Sequence, residues 1–198
     1  PAFDPLKVIS IRLAKILINL SEAKQEILDP FCGTGTILQE ALLMNFNAIG
    51  SDIKIDEAKK NLLWLGDKYK NKWKLITCNA TKISNQLNSA ECIVTEPYLG
   101  PYIKGKLKYE DVIRTIKELN ILYRNTLKEL NKIIKKKIVI ITPFFQLENR
   151  YMYTDFNKFI MESGFKTHSP LKEIKIPIVY AHKDKRIKRL IYILEKIN

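Results

Sequence analysis

The 198-residue chain carries 34 Lys and Arg against 21 Asp and Glu, a formal charge of +13, at a length that buries the core of one large domain. No apolar run approaches the roughly 20 residues that span a bilayer, and Pro1-Ala2-Phe3-Asp4 resembles no signal peptide, so residues 1–198 are expected to form a single cytoplasmic, non-membrane domain. Cys32, Cys78 and Cys92 are widely spaced and the only histidines are His168 and His182, which argues against a disulfide framework and against a metal site.

The first predicted element is a helix over residues 8–21, where Ile9, Leu13, Ile16, Leu17 and Leu20 recur at helical spacing. Short apolar runs follow at Glu26-Ile27-Leu28, Ala48-Ile49-Gly50, Lys74-Leu75-Ile76, Cys92-Ile93-Val94 and Ile138-Val139-Ile140-Ile141. They alternate with helical stretches near 36–45, 56–69 and 109–135. This is the pattern of an α/β, Rossmann-like fold, a mostly parallel sheet with helices on both faces. Lys132 and Lys135 to Lys137 close the long helix, where cations meet the helix dipole and solvent. After Gly164, Ile174 to Tyr180 and Leu190 to Leu194 read as an antiparallel hairpin at the sheet edge, joined by the charged segment His182 to Arg189, a candidate RNA contact.

Between the first strand and the next helix stands Asp29-Pro30-Phe31-Cys32-Gly33-Thr34-Gly35-Thr36. Two glycines there let the backbone approach a ligand at a helix start. A dinucleotide fingerprint would place a third glycine where Leu38 stands, and no Lys follows the glycines to meet a triphosphate. The pattern fits S-adenosyl-L-methionine: Gly33 and Gly35 under its amino-acid end and Asp29 facing its ammonium. Asp52, ending the second strand, can accept the ribose hydroxyls, and Asn79 one strand later can read the adenine. Their chain neighbours Phe31, Thr34, Ile53 and Ala80 complete the predicted cofactor-binding set.

The fourth strand runs into Glu96-Pro97-Tyr98-Leu99-Gly100-Pro101, the predicted catalytic turn. An aryl amine is a weak nucleophile because its lone pair is delocalised into the ring. A turn that accepts the amine hydrogens on a side-chain oxygen aligns that lone pair with the donor methyl. Glu96 is the candidate acceptor, Pro97 fixes the backbone, and Tyr98 can stack on a flipped base. No Pro-Cys dipeptide is present for a cysteine-nucleophile mechanism.

Taken together, Asp29 to Ala41, Gly50-Ser51-Asp52 and Glu96-Pro97-Tyr98-Leu99-Gly100 resemble the THUMP-associated tRNA guanosine N2-methyltransferases of archaea and eukaryotes, class I methyltransferases. The likeness covers most of residues 3–105. It implies a seven-stranded sheet ending in an antiparallel hairpin, S-adenosylmethionine as donor and methylation of guanine N2 in tRNA. It assigns Asp29, Gly33 and Gly35 to the methionine end, Asp52 to the ribose, Asn79 to the adenine and Glu96 to the target amine. The family's D-P-P-Y-G stands here as E-P-Y-L-G. An upstream THUMP domain or an accessory RNA-binding subunit is the expected partner in gripping tRNA. The positive charge agrees with a polyanionic substrate, although an AT-rich genome yields a lysine-rich chain without such selection. Three other readings stay open: amino-methylation of DNA, methylation of a protein glutamine, and an inactive cofactor- and RNA-binding module.

Overall fold

The computed structural model describes residues 9–101, 108–147, 150–180 and 187–197. Ser10 accepts the Leu13 N–H on its side chain and so caps α1 (Ile11–Ser21), whose Leu13, Ala14, Leu17 and Ile18 form a buried stripe. Then come β1 (Glu26–Asp29), α2 (Thr36–Leu43), β2 (Asn47–Asp52), α3 (Asp56–Trp64), β3 (Trp73–Thr77) and β4 (Cys92–Thr95). The second half holds α4 (Tyr109–Ile133), β5 (Lys137–Leu147), β6 (Arg150–Tyr153), α5 (Phe156–Glu162), β7 (Phe165–Thr167), β8 (Ile178–Tyr180) and β9 (Ile187–Lys196). The predicted helix over 56–69 stops at Trp64 because Gly66 adopts φ +90°, after which Asp67–Tyr69 form one 3₁₀ turn.

The main sheet path is β3-β2-β1-β4-β5-β9-β7, with β6 added on β5 and β8 on β9. Strands β1 to β5 are mutually parallel. The chain leaves β1 toward β2 and β3, then returns to the other side of β1 as β4, so the strand order reverses between β1 and β4. A crevice opens at the carboxyl ends of strands that flank such a reversal.

The C-terminal expectation is corrected in two respects. Residues 178–180 do pair antiparallel with 189–191, but β9 is an interior strand, held by β5 from Phe145 back to Lys137 and by β7 at its far end. Its run Leu190-Ile191-Tyr192-Ile193-Leu194 is buried on both faces, the mark of a central strand rather than an edge. The described residues hold nine strands where seven were expected, seven of them on the main path. His182 to Arg186 lie outside the described residues.

Helices α1, α2 and α3 bury their apolar faces with Ile27, Val94, Val139 and Ile191, while α4 and α5 pack with Leu28, Ile93, Ile138 and Tyr192 on the opposite side of the sheet. Close approach of α2 to the sheet, which a third loop glycine gives in dinucleotide folds, is supplied here from the strand. A Cβ on Gly50 of β2 would collide with Leu38 Cδ1 and would lie 2.9 Å from Leu75 Cδ2 and 3.1 Å from Cys32 Sγ. At the other end of the sheet, Glu91 accepts the backbone N–H groups of Lys24, Gln25 and Glu26 at 3.0, 2.8 and 2.8 Å, and Lys136 Nζ at 2.6 Å. Burial opposes the charge of Glu91, but these donors outweigh it and hold the carboxyl down at about 2. Lys137 reaches Glu22 at 2.6 Å, so Lys136 and Lys137 tie the start of β5 to its neighbours rather than extending α4. Among the described residues no helix is long and apolar enough to cross a membrane.

Gly50→Ala should lower unfolding free energy by about 1–3 kcal/mol, the usual effect of overpacking a tight core, read from the midpoint of urea denaturation; an unshifted midpoint would show that Leu38 and Leu75 yield freely. Glu91→Ala leaves three N–H groups without their acceptor and should cost about 2 kcal/mol or more in the same measurement.

Candidate active site

Asp29 ends β1 with a side chain that is 2% exposed. Its Oδ1 accepts the Thr95 hydroxyl at 2.7 Å and the Phe31 N–H at 3.1 Å. Burial pushes this carboxyl up to about 7, and the nearby negative charges of Asp52 and Glu96 add to the rise, against the lowering effect of its two hydrogen bonds. Thr95 is the last residue of β4, so one bond joins the two strands at the point where their order reverses.

The loop beyond Asp29 folds on itself and on β2. Cys32 N–H donates to Ser51 O at 3.0 Å, and Gly35 N–H donates to Cys32 O at 2.7 Å. Gly33 and Gly35 stand at φ +50° and +83°, a region that disfavours side chains. A Cβ on Gly35 would press on Ala58 at 3.3 Å, whereas one on Gly33 would meet no protein atom within 4 Å. Gly33 therefore faces open space. Thr34 O accepts from Asn61 Nδ2 at 2.9 Å, which fastens the loop to α3.

Asp52 braces the same loop from the second strand. Its Oδ2 accepts the Gly33 N–H at 2.9 Å and its Oδ1 the Lys54 N–H at 3.2 Å. Each carboxylate oxygen keeps acceptor capacity beyond one such bond. Ile53, next in the chain, is 66% exposed. Asn79 opens the 3₁₀ segment Ala80–Asn85, its Oδ1 accepting Thr81 N–H at 3.0 Å and Thr81 Oγ1–H at 2.9 Å. That cap engages the oxygen and leaves the amide nitrogen as the natural donor. Ala80 beside it is buried.

After Thr95 the chain turns out of the sheet. Glu96 Oε1 accepts from Arg189 Nε–H of β9 in a short ion pair, with both side chains largely buried. Arg189, expected in an outward RNA-contacting loop, instead turns inward to this carboxylate. Tyr98 is half exposed, and its carbonyl accepts the Tyr123 hydroxyl of α4 at 2.7 Å. Gly100 adopts φ +107°, and a Cβ there would strike Thr115 Cγ2 at 2.7 Å. Helix α4 thus holds the turn through Tyr123 and Thr115.

Of the residues singled out in the sequence, Asp29, Phe31, Gly33, Thr34 and Glu96 line one pocket, together with Ile9, Cys32, Thr36 and Ile37. Asp52 joins them through Gly33. Gly35, Ile53, Asn79, Ala80, Pro97 and Tyr98 are not in that lining. Thr95, Arg189 and Tyr123 were not read from the sequence as parts of the site. For Thr95 a signal existed, a hydroxyl ending an otherwise apolar strand; Arg189 and Tyr123 arrive from distant elements and carry none.

The chain is similar to the tRNA (guanine(10)-N2)-dimethyltransferase of Pyrococcus abyssi, at 31% identity over 137 residues, 67% of this chain and 38% of that protein. It is likewise similar to that of Methanocaldococcus jannaschii, at 33% over 117 residues, 54% of this chain and 33% of the relative. The chain thus spans well under half the length of these curated relatives. TrmN from Thermus thermophilus shares the fold, with a TM-score of 0.68 over 98% of this chain and 51% of its own at 16% identity. Residues 7–165 match the model of the UPF0020 family, described as RMKL-like, methyltransferase domain, and the chain belongs to that family.

Proposed function

We propose that the chain is the single catalytic domain of a cytoplasmic S-adenosylmethionine-dependent tRNA methyltransferase that acts on N2 of a guanosine. The observation that carries this reading is the pocket shared by Asp29 and Glu96, at the ends of adjacent strands bridged by the 2.7 Å Thr95–Asp29 bond. A carboxyl suited to the cofactor's ammonium and one suited to a target amine stand side by side. The names of the archaeal relatives support tRNA guanine as substrate.

The residues present fit the cofactor. Gly33 leaves unfilled the space that a Cβ would occupy, Asp29 is a buried carboxyl that an ammonium would stabilise, and Asp52 keeps acceptor capacity for ribose hydroxyls. S-adenosylmethionine, when bound, supplies a methyl group on a positively charged sulfur. Asp29 would hold its methionine end, Gly33, Thr34 and Gly35 would admit it to the backbone, and Ile53 would offer an apolar surface to the adenine. Asn79, with its oxygen engaged in the cap, would offer Nδ2 to the adenine, and Phe31 and Ala80 would shape the flanks. Glu96 accepts a hydrogen of the target amine on Oε2, because Arg189 occupies Oε1. Arg189 also restrains a side chain one methylene longer than the family's aspartate. Pro97 sets the turn and Tyr98 presents a ring to the guanine. An upstream THUMP domain or an accessory subunit would complete the grip on tRNA.

Labelled methyl from S-adenosylmethionine should enter unmodified tRNA and appear as N2-methylguanosine or its dimethyl form on nucleoside analysis. Glu96→Ala should abolish this while leaving cofactor affinity within about threefold, as expected for a group that acts on the transition state. Label in DNA or protein but not in tRNA would overturn the substrate; turnover unaffected by Glu96→Ala would overturn the mechanism.

Asp29 also sets a pH dependence. Its carboxyl is raised to about 7 in the free protein, so below that pH it must lose a proton before facing an ammonium. Cofactor affinity should therefore climb with pH by up to about tenfold per unit until about pH 7, then level off, with proton release at the lower pH values. Calorimetry in buffers of different ionisation enthalpy reads both, and Asp29→Asn should flatten the profile; a wild-type profile already flat through neutrality would contradict the role.

A further inference from the structure

Strand β5 has two edges. Along one, β9 pairs with it from Lys137 to Phe145. The other is taken by β4 over Ile138, Val139 and Ile140. Because β9 still holds the first edge at Phe144 and Phe145, β6, which pairs with β5 from Phe144 to Leu147, must lie on the second. The last β4 pair is Thr95 with Ile140, and the first β6 pair is Phe144 with Tyr153. Strand β6 therefore takes over the edge that the catalytic turn has just left, about 13 Å further along at the rise of an extended strand. The turn stays close to β5 here, on its Phe145 face, since a Cβ on Gly100 would lie 3.8 Å from Phe145 Cζ.

The surface of this extension is unlike the rest of the sheet. Tyr151 and Tyr153, two residues apart, lie on one face with Phe144. The Phe144 and Tyr153 rings stack at 5.7 Å and 16°, and Tyr151 tilts against Phe144 at 5.9 Å. Lys188 Nζ, from the other side of β5, stands 5.8 Å from the centroids of both Phe144 and Tyr151. Yet Tyr151 and Tyr153 are 54% and 51% exposed. Grouped aromatic rings left open to water mark a binding surface. With the Lys188 ammonium over the rings and a chain of net charge +13, the complementary partner is planar and anionic. An unpaired nucleotide has both properties, a base to stack and a phosphate to meet the ammonium.

We propose that Tyr151 and Tyr153, backed by the buried Phe144 and flanked by Lys188, form a stacking platform that holds an unpaired RNA nucleotide flanking the target base. The choice of RNA rests on the substrate reading above; the platform itself rests on the register and ring geometry. A nucleotide fixed there, beyond β4 along the edge of β5 that the turn leaves, would keep the strand from withdrawing the target from Glu96.

The test uses a fluorophore-labelled single-stranded RNA of mixed sequence and its duplex form, with affinity read by anisotropy on the full chain. Tyr151→Ala with Tyr153→Ala should weaken single-strand binding roughly tenfold or more, as loss of base stacking does, and leave duplex affinity within about twofold. Tyr151→Phe with Tyr153→Phe should retain binding, and Lys188→Ala should reduce the slope of log affinity against log salt by about one. Unchanged cofactor affinity in each variant reports an intact fold. Single-strand binding insensitive to the alanine pair, an equal loss with the duplex, or no single-strand binding by the unmodified chain would each overturn the platform. Failure of the substrate reading looks different: label entering DNA or protein while single-strand binding still depends on the tyrosines leaves the platform standing. Methylated tRNA with tyrosine-independent binding removes the platform alone.

Discussion

A single buried hydrogen bond, from the Thr95 hydroxyl to Asp29 Oδ1, makes the two halves of the site into one body. It lies between β1 and β4, the adjacent strands across which the sheet changes direction. Asp29 opens the glycine loop and Thr95 precedes Glu96, so that loop and the Glu96 turn share one anchor. A hydrogen bond in this setting is strong because water is excluded, and for the same reason the carboxyl is hard to ionise. Burial thus raises this carboxyl to about 7 against the pull of its own hydrogen bonds.

Around that anchor, more distant elements fix the remaining side chains. Asp52 on β2 holds the Gly33 amide, Arg189 on β9 holds Glu96, and Tyr123 on α4 holds the Tyr98 carbonyl. None of these three is a sequence neighbour of the group it fixes. Consequently β9 must lie inside the sheet beside β5: from an edge hairpin, Arg189 would not reach a turn at the end of β4. The continuous burial of Leu190 to Leu194 supplies the packing that places it there.

The parallel half of the sheet was legible because its strands are apolar runs punctuated by glycines, aspartates and helical spacing. Its loop was legible because Gly33 and Gly35 follow a strand at fixed distance. The second half was harder for physical reasons. Strand β7 is three residues long, with Lys166 and Thr167 exposed, and β6 reads Arg-Tyr-Met-Tyr; neither has enough apolar residues to stand out. Where β9 sits depends on β5 and β7 and not on its own residues. The partner of Glu96 was hidden likewise, since an arginine just ahead of an apolar run looks outward until its neighbours are known.

Strand β1 is four residues long, yet its two ends answer to protons in opposite senses. At its start, Glu91 holds three successive amides as an anion; with its carboxyl near 2 in the folded state, that contribution is whole above the ordinary carboxylate range and fades as pH falls through 2. At its finish, the raised Asp29 favours folding in acid and withdraws that support as pH climbs toward 7. These two carboxyls together favour mildly acidic conditions, one from each end of the strand. In the proposed reading, a bound ammonium beside Asp29 would relieve the upper limit alone, so the cofactor would also act as a structural counter-ion that carries this support into neutral water.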